Sequence, residues 1–149
     1  MSHAYAVKLY REKFQPHQKG KIGITLHGNF SEPWDVGDPL DVEAAQRALE
    51  FEIAWFADPV YKTGECDYPP NMRTRLGDRL AKFTEEEKKL VLGSSDFYGM
   101  NSYTTFYIRH KGTPPHIDDH SGNVDKLDMN KQGVSRGPES DTYWLRTAS

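Results

Sequence analysis

Three histidines and two aspartates lie close together in the second half of the chain and could bind a metal ion. His116 and His120 are four residues apart, which on a helix would place both imidazoles on one face, as in zinc sites. The surrounding sequence, HKGTPPHIDDHSG, begins at His110 and is rich in Pro and Gly, so it offers no helix to fix them. We therefore expect these histidines, with Asp118 and Asp119, to lie in a solvated loop, and we expect no metal site.

A single cysteine and a glycosylation sequon are two other features that could have a chemical role, but their sequence context does not favour one. Cys66 is the single cysteine, which excludes an intrachain disulfide and a zinc site built from cysteines. It lies in a polar turn with no adjacent histidine to activate a thiol, so no nucleophilic role is expected. Asn29-Phe30-Ser31 has the form of a glycosylation sequon. We interpret it as incidental, because charges in MSHAYAVKLYREKF occupy the place of a signal peptide's apolar core.

The composition excludes several classes of protein. The chain has 149 residues with 19 basic and 22 acidic side chains, a net charge of −3, and therefore no basic face for nucleic acid or anionic lipid. No stretch approaches the roughly 18 apolar residues of a membrane-spanning helix. We expect no nucleic-acid or membrane partner, and a cytoplasmic location. The length predicts one domain and is too short for a closed (β/α)8 barrel, which needs about 250 residues.

The first elements are read from hydrophobic spacing. Apolar side chains at helical intervals predict a first helix that Pro16 should end. From Lys21 to His27 large apolar and small residues alternate, which predicts a strand. Gly23 and Thr25 occupy its second face, where small side chains would let a bulky neighbour lie close. The following GNFSEPWDVGDP is predicted to be a loop.

A second helix is predicted before Pro59, which should end it. Either Asp38, with Pro39 at the first position, or Asp41 can cap its start. Two adjacent apolar stripes give it the wide apolar face of a helix packed on a sheet. The stripes consist of Val42, Ala45, Leu49 and Phe56, and of Ala44, Ala48, Phe51 and Trp55.

Shorter elements follow. Asn71 could cap a short helix that reaches Leu76. Thr84 and Glu87 form a capping box for a helix through Leu92, with Gly93 as its C-terminal stop. The aromatic DFYGMNSYTTFYI predicts a buried strand and its extension, and the polar segment 110–141 predicts a long loop or a disordered segment.

The order of these elements favours parallel β/α units. Only two good strands are predicted, however. Two strands cannot close a barrel or hide both faces of a parallel sheet. The physical interpretation is a piece of something larger.

Four segments resemble the middle of fungal-type β-glucosidases of glycoside hydrolase family 1. They are HAYAVKLYREKF, KGKIGITLHGNFSEPWD, DVEAAQRALEFEIAWFADPVY and GSSDFYGMNSYTTFYIRH. The resemblance runs over nearly the whole chain, and the closing GVSRGPESDTYWLRT is similar to the segment that leads this family towards its next helix.

The resemblance implies an α/β fold that is a partial (β/α)8 TIM barrel, with roughly its fifth and sixth β/α units and the end of the preceding helix. The fifth strand would be Lys21–His27, the fifth helix Asp41–Ala57 and the sixth strand Asp96–Asn101. Residues 1–109 would then form an incomplete barrel segment. Residues 110–149 would form a long polar loop and the start of the next element.

The resemblance also implies a chemistry. Family members hydrolyse terminal β-glucosides such as cellobiose with retention, using two glutamates about 5–5.5 Å apart. The acid/base lies in Asn-Glu-Pro and the nucleophile in Glu-Asn-Gly, and this sequence contains neither tripeptide. Ser31-Glu32-Pro33 mimics the first but follows the fifth strand instead of the fourth, so Glu32 is expected to be a solvated or hydrogen-bonding loop residue. We expect a fragment of a hydrolase with no catalytic residue, no cofactor and no turnover of its own.

Three residues match substrate-binding positions of the family, whose ligand in the intact barrel would be a β-glucoside or glucose. Asn101-Ser102-Tyr103 fits an Asn-x-Tyr pattern in which the tyrosine hydroxyl donates to the nucleophilic glutamate and favours its ionised form. Asn101 would line the same pocket. Asn29 would border the leaving-group side and bond a second sugar. Judged by its type alone, Tyr103 would be one of many core aromatics.

The chain departs from the fungal relatives at several of these positions, so its preference for an acceptor stays open. Functional divergence and damage to the gene copy are both possible explanations of these departures. The departures are His27, Asn29, Phe30, Ser102 and Phe106. A second hypothesis is non-catalytic: the piece would bind sugar on an aromatic platform or self-associate through open sheet edges. The platform would consist of Trp34, Tyr103, Phe106 and Tyr107.

Overall fold

The computed structural model describes residues 1–142, so the end of the segment predicted to start the next element lies outside the described residues. The chain divides into two compact units. The first unit is Met1–Leu26 with Ala54–Met100, and the second unit is His27–Ile53 with the chain from Asn101 onwards. The predicted division at residue 109 stays a prediction.

Six α-helices and five strands are found in the described residues. The helices are α1 (Ser2–Leu9), α2 (Gln15–Gln18), α3 (Pro39–Leu49), α4 (Trp55–Tyr61), α5 (Pro70–Leu76) and α6 (Glu85–Val91). The strands are β1 (Ile24–His27), β2 (Phe30–Pro33), β3 (Tyr98–Asn101), β4 (Thr105–His110) and β5 (Val124–Leu127). Within residues 1–142, every helix is too short or too polar to cross a bilayer.

The first helix continues past Pro16, so the prediction that this proline ends it is wrong. A π-helical segment, Tyr10–Phe14, joins α1 to α2, and Pro16 lies in the first turn of α2. A first turn tolerates proline because its N–H groups lack helical partners. The helix ends instead at Lys19, which adopts a left-handed conformation with φ +52°.

The second helix also runs through a proline. Asp38 is the residue that caps it, since its Oδ1 accepts from the Leu40 N–H at 2.9 Å. A second π-helical segment, Glu50–Ala54, joins α3 to α4, and Pro59 lies inside α4, which ends at Tyr61. The predicted end at Pro59 is therefore wrong, because proline's φ is itself helical and two further residues follow before the chain turns away.

The predicted apolar face of this helix is partly confirmed. The residues of the two stripes that are buried are Ala44, Ala45, Ala48 and Phe51. Val42 and Phe56 are exposed, Phe56 to 53%. In the second unit the three alanines pack against Ile108 and Val124 of the sheet, which forms its core.

The predicted caps of the two shorter helices are wrong for α5 and confirmed for α6. Pro70 begins α5 and Asn71 lies inside it, so Asn71 is not the cap. The predicted capping box of α6 is confirmed, because Thr84 Oγ1 accepts from the Glu87 N–H at 3.2 Å and Glu87 Oε2 accepts from the Thr84 N–H at 2.9 Å. Gly93 follows with φ +70°, as a C-terminal stop requires.

Cys66 lies in the core of the first unit with Ala4, Val60 and Val91, and not in a polar turn. It is 3% exposed. Burial raises the pKa of its thiol, which lowers the fraction of reactive thiolate at neutral pH.

The strands form two sheets in the described residues. One pairs β1 with β3. The other has the order β2-β4-β5, with β2 parallel and β5 antiparallel to β4. Two segments predicted to be loops therefore contain strands: GNFSEPWDVGDP contains β2, and 110–141 contains β5. Pro33 is tolerated because it ends an edge strand.

Two polar side chains of α3, those of Asp41 and Arg47, are buried in the second unit. Asp41 Oδ1 accepts from the His110 N–H at 2.7 Å, and Oδ2 accepts from the Asp35 N–H at 3.1 Å. Arg47 Nε donates to the carbonyl oxygen of Gly122 at 2.6 Å. Through these hydrogen bonds, each side chain connects α3 to segments that are distant in the sequence.

Candidate functional site

The predicted site residues lie where β1 and β3 end. His27 ends β1 and Asn101 ends β3, and the segments that follow run side by side in the second unit. The Gly28 N–H donates to the Asn101 carbonyl at 3.1 Å, and the Phe30 N–H donates to the Thr104 carbonyl at 3.1 Å. These bonds bring the two post-strand loops to one edge.

Asn29 fixes the second loop to the first. Its Oδ1 accepts from the N–H groups of Tyr103 and Thr104, each at 3.1 Å. Its own N–H donates to Glu52 Oε1 at 3.1 Å. The amide oxygen is therefore used to position the second loop. The predicted bond from Asn29 to a second sugar stays a prediction.

Tyr103 is an exposed residue of this edge and not a core aromatic. It is 47% exposed, and its ring centroid lies 5.8 Å from that of His27. Asn101 and Ser102 beside it are also exposed. The structure thus brings Asn29, Asn101 and Tyr103 together, while their roles in binding glucose stay predictions.

Glu52 is a positioning residue that sequence reasoning missed. Its Oε1 accepts the Asn29 N–H, and its Oε2 lies 2.7 Å from Lys126 Nζ. Lys126 Nζ in turn lies 5.6 Å from the centre of the Phe106 ring. The partners of Glu52 are 23 and 74 residues away in sequence, so no local pattern marks it.

Glu32 lies on strand β2 instead of in a loop, which corrects its predicted location. Its carboxylate forms an ion pair with Arg136, whose guanidinium lies 5.1 Å from the centre of the Tyr107 ring. Arg109 is placed similarly, 5.3 Å from the Trp34 ring. Cations therefore cover one face of each of these rings, as Lys126 does for Phe106.

The carboxylate of Asp35, just beyond β2, is held ionised. Its hydrogen bond to the Lys131 ammonium, helped by the Gly37 N–H, lowers the pKa of Asp35 below its usual range. Asp125 on β5 pairs with Arg109 at 2.9 Å. Asp35 and Asp125 are thus each paired with a cation.

The histidine cluster forms a turn. The Asp118 N–H donates to His116 Nδ1 at 3.2 Å, and the Asp119 N–H donates to the His116 carbonyl at 3.0 Å. Within residues 1–142 no group of three or more His, Cys, Asp or Glu side chains is arranged to hold a metal ion.

The arrangement at the ends of β1 and β3 suits binding more than acid–base catalysis. Exposed amide, hydroxyl and ring groups can hydrogen-bond and stack on a polyol. The carboxylate that lies beside these loops, Glu52, has both oxygens committed to a backbone N–H and an ammonium. A hydrolytic pair of carboxylates would have to come from other residues.

Comparisons with known proteins agree over the whole chain. The family model for Glycosyl hydrolase family 1 matches residues 1–149. Beta-glucosidase 1B of Phanerodontia chrysosporium is 47% identical over 146 residues, which cover 98% of this chain and 26% of that protein. Raucaffricine-O-beta-D-glucosidase of Rauvolfia serpentina is 41% identical, with 97% of this chain and 27% of that protein covered.

Solved structures give the same result. The β-glucosidase from Trichoderma harzianum matches with a TM-score of 0.91 and 56% identity, over 97% of this chain and 30% of that one. A β-glucosidase from Humicola insolens in complex with glucose matches with a TM-score of 0.91 and 55% identity, over 97% and 30%. The chain therefore spans about a quarter to a third of the length of these relatives.

Proposed function

Because the chain belongs to glycosyl hydrolase family 1, we propose that it is the part of a retaining β-glucosidase that lies between the two catalytic glutamates. The predicted partial (β/α)8 barrel is confirmed, since the chain matches about 30% of family β-glucosidase structures and closes no barrel among its described residues. The proposed substrates are terminal β-D-glucosides such as cellobiose. The observation that carries the proposal is the collinear match over 97% of the chain.

In this proposal the edge formed after β1 and β3 contributes to a glucose pocket. The Tyr103 hydroxyl would donate to the nucleophilic carboxylate, and Asn101 would line the same pocket. Asn29 would present its amide nitrogen towards the leaving group. The ordering of these loops by Asn29 Oδ1 supports the proposal, because binding groups must be fixed before the ligand arrives.

We expect the 149-residue chain to show no glycosidase turnover. The sequence contains neither Asn-Glu-Pro nor Glu-Asn-Gly. Without an acid and a nucleophile, the acceleration of at least roughly 10⁶-fold that enzymes typically provide should be absent. Release of 4-nitrophenol from its β-D-glucoside by the purified chain should match a buffer blank.

A contaminating glucosidase must be distinguished from true activity. Turnover that survives repurification, is lost in Tyr103→Phe or Glu32→Gln and is retained in the matched control Tyr5→Phe would overturn the expectation. Tyr5 is an exposed residue of α1 and belongs to the other unit. Turnover that none of these variants changes would be assigned to the contaminant.

A second candidate function is non-catalytic, and the sheet of the second unit favours it. Strands β2 and β5 are the edges of that sheet in the described residues, and Phe30 on β2 is exposed. Such edges pair readily with another chain. Under this hypothesis size-exclusion chromatography should give dimers or larger species as concentration rises, or calorimetry should detect heat with millimolar glucose or cellobiose. A monomer at all concentrations that gives no heat with either sugar would rule it out.

A further inference from the structure

The first loop, which follows β1, depends on a side chain from outside both loops. The N–H groups on either side of Asn29 donate to carbonyl oxygens of the second loop, which follows β3, at 3.1 Å each. The Asn29 N–H does not join this pairing and donates to Glu52 Oε1 at 3.1 Å. Glu52 therefore supplies the acceptor for the one backbone N–H in the middle of the first loop.

Lys126 of β5 starts from the side of the second unit's sheet that packs against α3. It is directly opposite Ile108, which is fully buried, and Val124 two residues earlier packs against the alanines of that helix. An ammonium group that starts from this face needs a partner close by, because an unpaired charge is costly to bury. That partner is Glu52, whose Oε2 lies 2.7 Å from Lys126 Nζ.

The carboxylate of Glu52 depends on this ammonium. Its side chain is 18% exposed, and its two oxygens bond Lys126 and the Asn29 N–H. Without Lys126 the charge would be largely shielded from water and would keep the Asn29 N–H as its one donor among the described residues. The carboxylate would then gain free energy by turning towards water, because half-paired buried charges are unstable. That movement would break its hydrogen bond to Asn29.

Asn29 passes this constraint on to the second loop. Its backbone is held by Glu52, and its Oδ1 accepts from the N–H groups of Tyr103 and Thr104 at 3.1 Å each. A change in the orientation of the Asn29 backbone would therefore move its side chain away from these two donors. Three consecutive hydrogen bonds thus lead from Lys126 to the backbone of Tyr103, through Glu52 and Asn29.

We propose that Lys126 is a positioning residue of the glucose pocket, which acts through Glu52 and Asn29 on the loop that carries Tyr103. Strand β5 would in this way set the order of a loop with which it does not pair. The sugar ligand in this statement rests on the proposed function, whereas the path of hydrogen bonds does not. The two can therefore fail separately.

The test measures amide hydrogen exchange by NMR on the purified full chain. Lys126→Met keeps an apolar stem but removes the ammonium, and exchange of the Asn29 and Tyr103 amides should accelerate about tenfold. The Trp34 amide, which donates to the Ile108 carbonyl at 2.8 Å in the same unit, should exchange as before. Lys126→Arg keeps a cation and should restore most of the protection.

Arg109→Met is the matched control for loss of a cation from this sheet. Arg109 also pairs with a carboxylate, that of Asp125 at 2.9 Å, and its guanidinium lies 5.3 Å from the centre of the Trp34 ring. Lys126 has a similar environment, with its Nζ 5.6 Å from the Phe106 ring. Because Asp125 does not lie on the path to Asn29, Arg109→Met should leave exchange of both loops unchanged.

A double-mutant cycle tests the order of the path. Glu52→Ala alone should accelerate exchange of the Asn29 and Tyr103 amides by at least as much as Lys126→Met. Adding Lys126→Met to Glu52→Ala should cause no further change, because residues that act in one chain are not additive. If Lys126→Met does not fold, Lys126→Gln, which keeps a polar end without the charge, takes its place in the cycle.

Three results would overturn the proposal. Unchanged exchange of the Tyr103 amide in Lys126→Met would remove the role of the ammonium. Equal acceleration at Trp34 would mean a general loss of stability, and additive effects of Glu52→Ala and Lys126→Met would mean two separate paths. Glucose added to the wild-type chain tests the proposed function on its own. If millimolar glucose leaves the Asn101 and Tyr103 signals unshifted, this counts against the proposed pocket, whereas the role of Lys126 is judged from exchange alone.

Discussion

Replacing Asp41 by alanine is expected to lower the free energy of unfolding of the second unit by about 2–4 kcal/mol. The carboxylate is 2% exposed and accepts hydrogen bonds from two backbone N–H groups, those of Asp35 and His110. Alanine would leave both donors buried without an acceptor and would open a small void. The loop after β2 and the end of β4 would lose their common attachment to α3.

Two further variants make this result specific. Asp41→Asn keeps the shape but turns an NH₂ group towards one of the two donors, so it should cost nearly as much as alanine. Asp118→Ala removes an exposed carboxylate and should change stability by less than about 0.5 kcal/mol. Hydrogen exchange provides the local measurement. Amides of Asp35 and His110 that keep their protection in Asp41→Ala would contradict the assigned role.

Replacing Gly23 by valine is expected to destabilise the first unit by about 3 kcal/mol, at the upper end of the cost of overpacking. A Cβ at this position would lie 2.7 Å from the backbone oxygen of Phe97 and 2.8 Å from its ring. A backbone oxygen cannot move aside as the end of a side chain can. The distance between the segment that precedes β1 and the segment that precedes β3 would therefore have to increase.

Gly112→Ala is the matched control. No atom lies within 4 Å of a Cβ built there, and its φ is not in the left-handed region. Alanine should therefore be neutral or stabilise slightly by restricting the unfolded chain. Chemical denaturation of the two variants gives the comparison. Equal midpoints for Gly23→Val and Gly112→Ala would show that the Gly23 contact is absent in solution.

The confirmed predictions concern features that depend on residues close together in the sequence. The capping box of α6 joins Thr84 and Glu87, which are three residues apart. The end of the same helix needs a positive φ, which Gly93 adopts. The small residue Gly23 also predicted the close approach that Phe97 makes, although not which residue would make it.

The missed strands depend on distant pairing. Strand β2 has the sequence FSEP, which carries a proline and an acid, yet it pairs with β4 in register from Phe30↔Thr105. Strand β5, VDKL, is short and half charged, and it pairs antiparallel to the same strand. Their conformation comes from packing against the sheet and not from propensity.

The sequence could predict that the candidate site residues lie at strand ends, but it could not predict the hydrogen bonds that join them. Asn101 and Tyr103 follow a predicted strand, and the ends of strands are where this fold places its ligands. The attachment of both loops through Asn29 and Glu52 joins residues that are far apart in sequence. A hydrogen bond of that kind leaves no periodicity to detect.

The π-helical segment Glu50–Ala54 has a consequence for how this chain can be aligned and edited. A π-helical turn holds about one more residue than an α-helical turn, so the segment takes in an extra residue while the residues after it keep their direction. Deleting a single residue there would restore a regular α-helix and leave Trp55 and Phe56 close to their present direction. A one-residue gap in this stretch is therefore a change of length and not of facing.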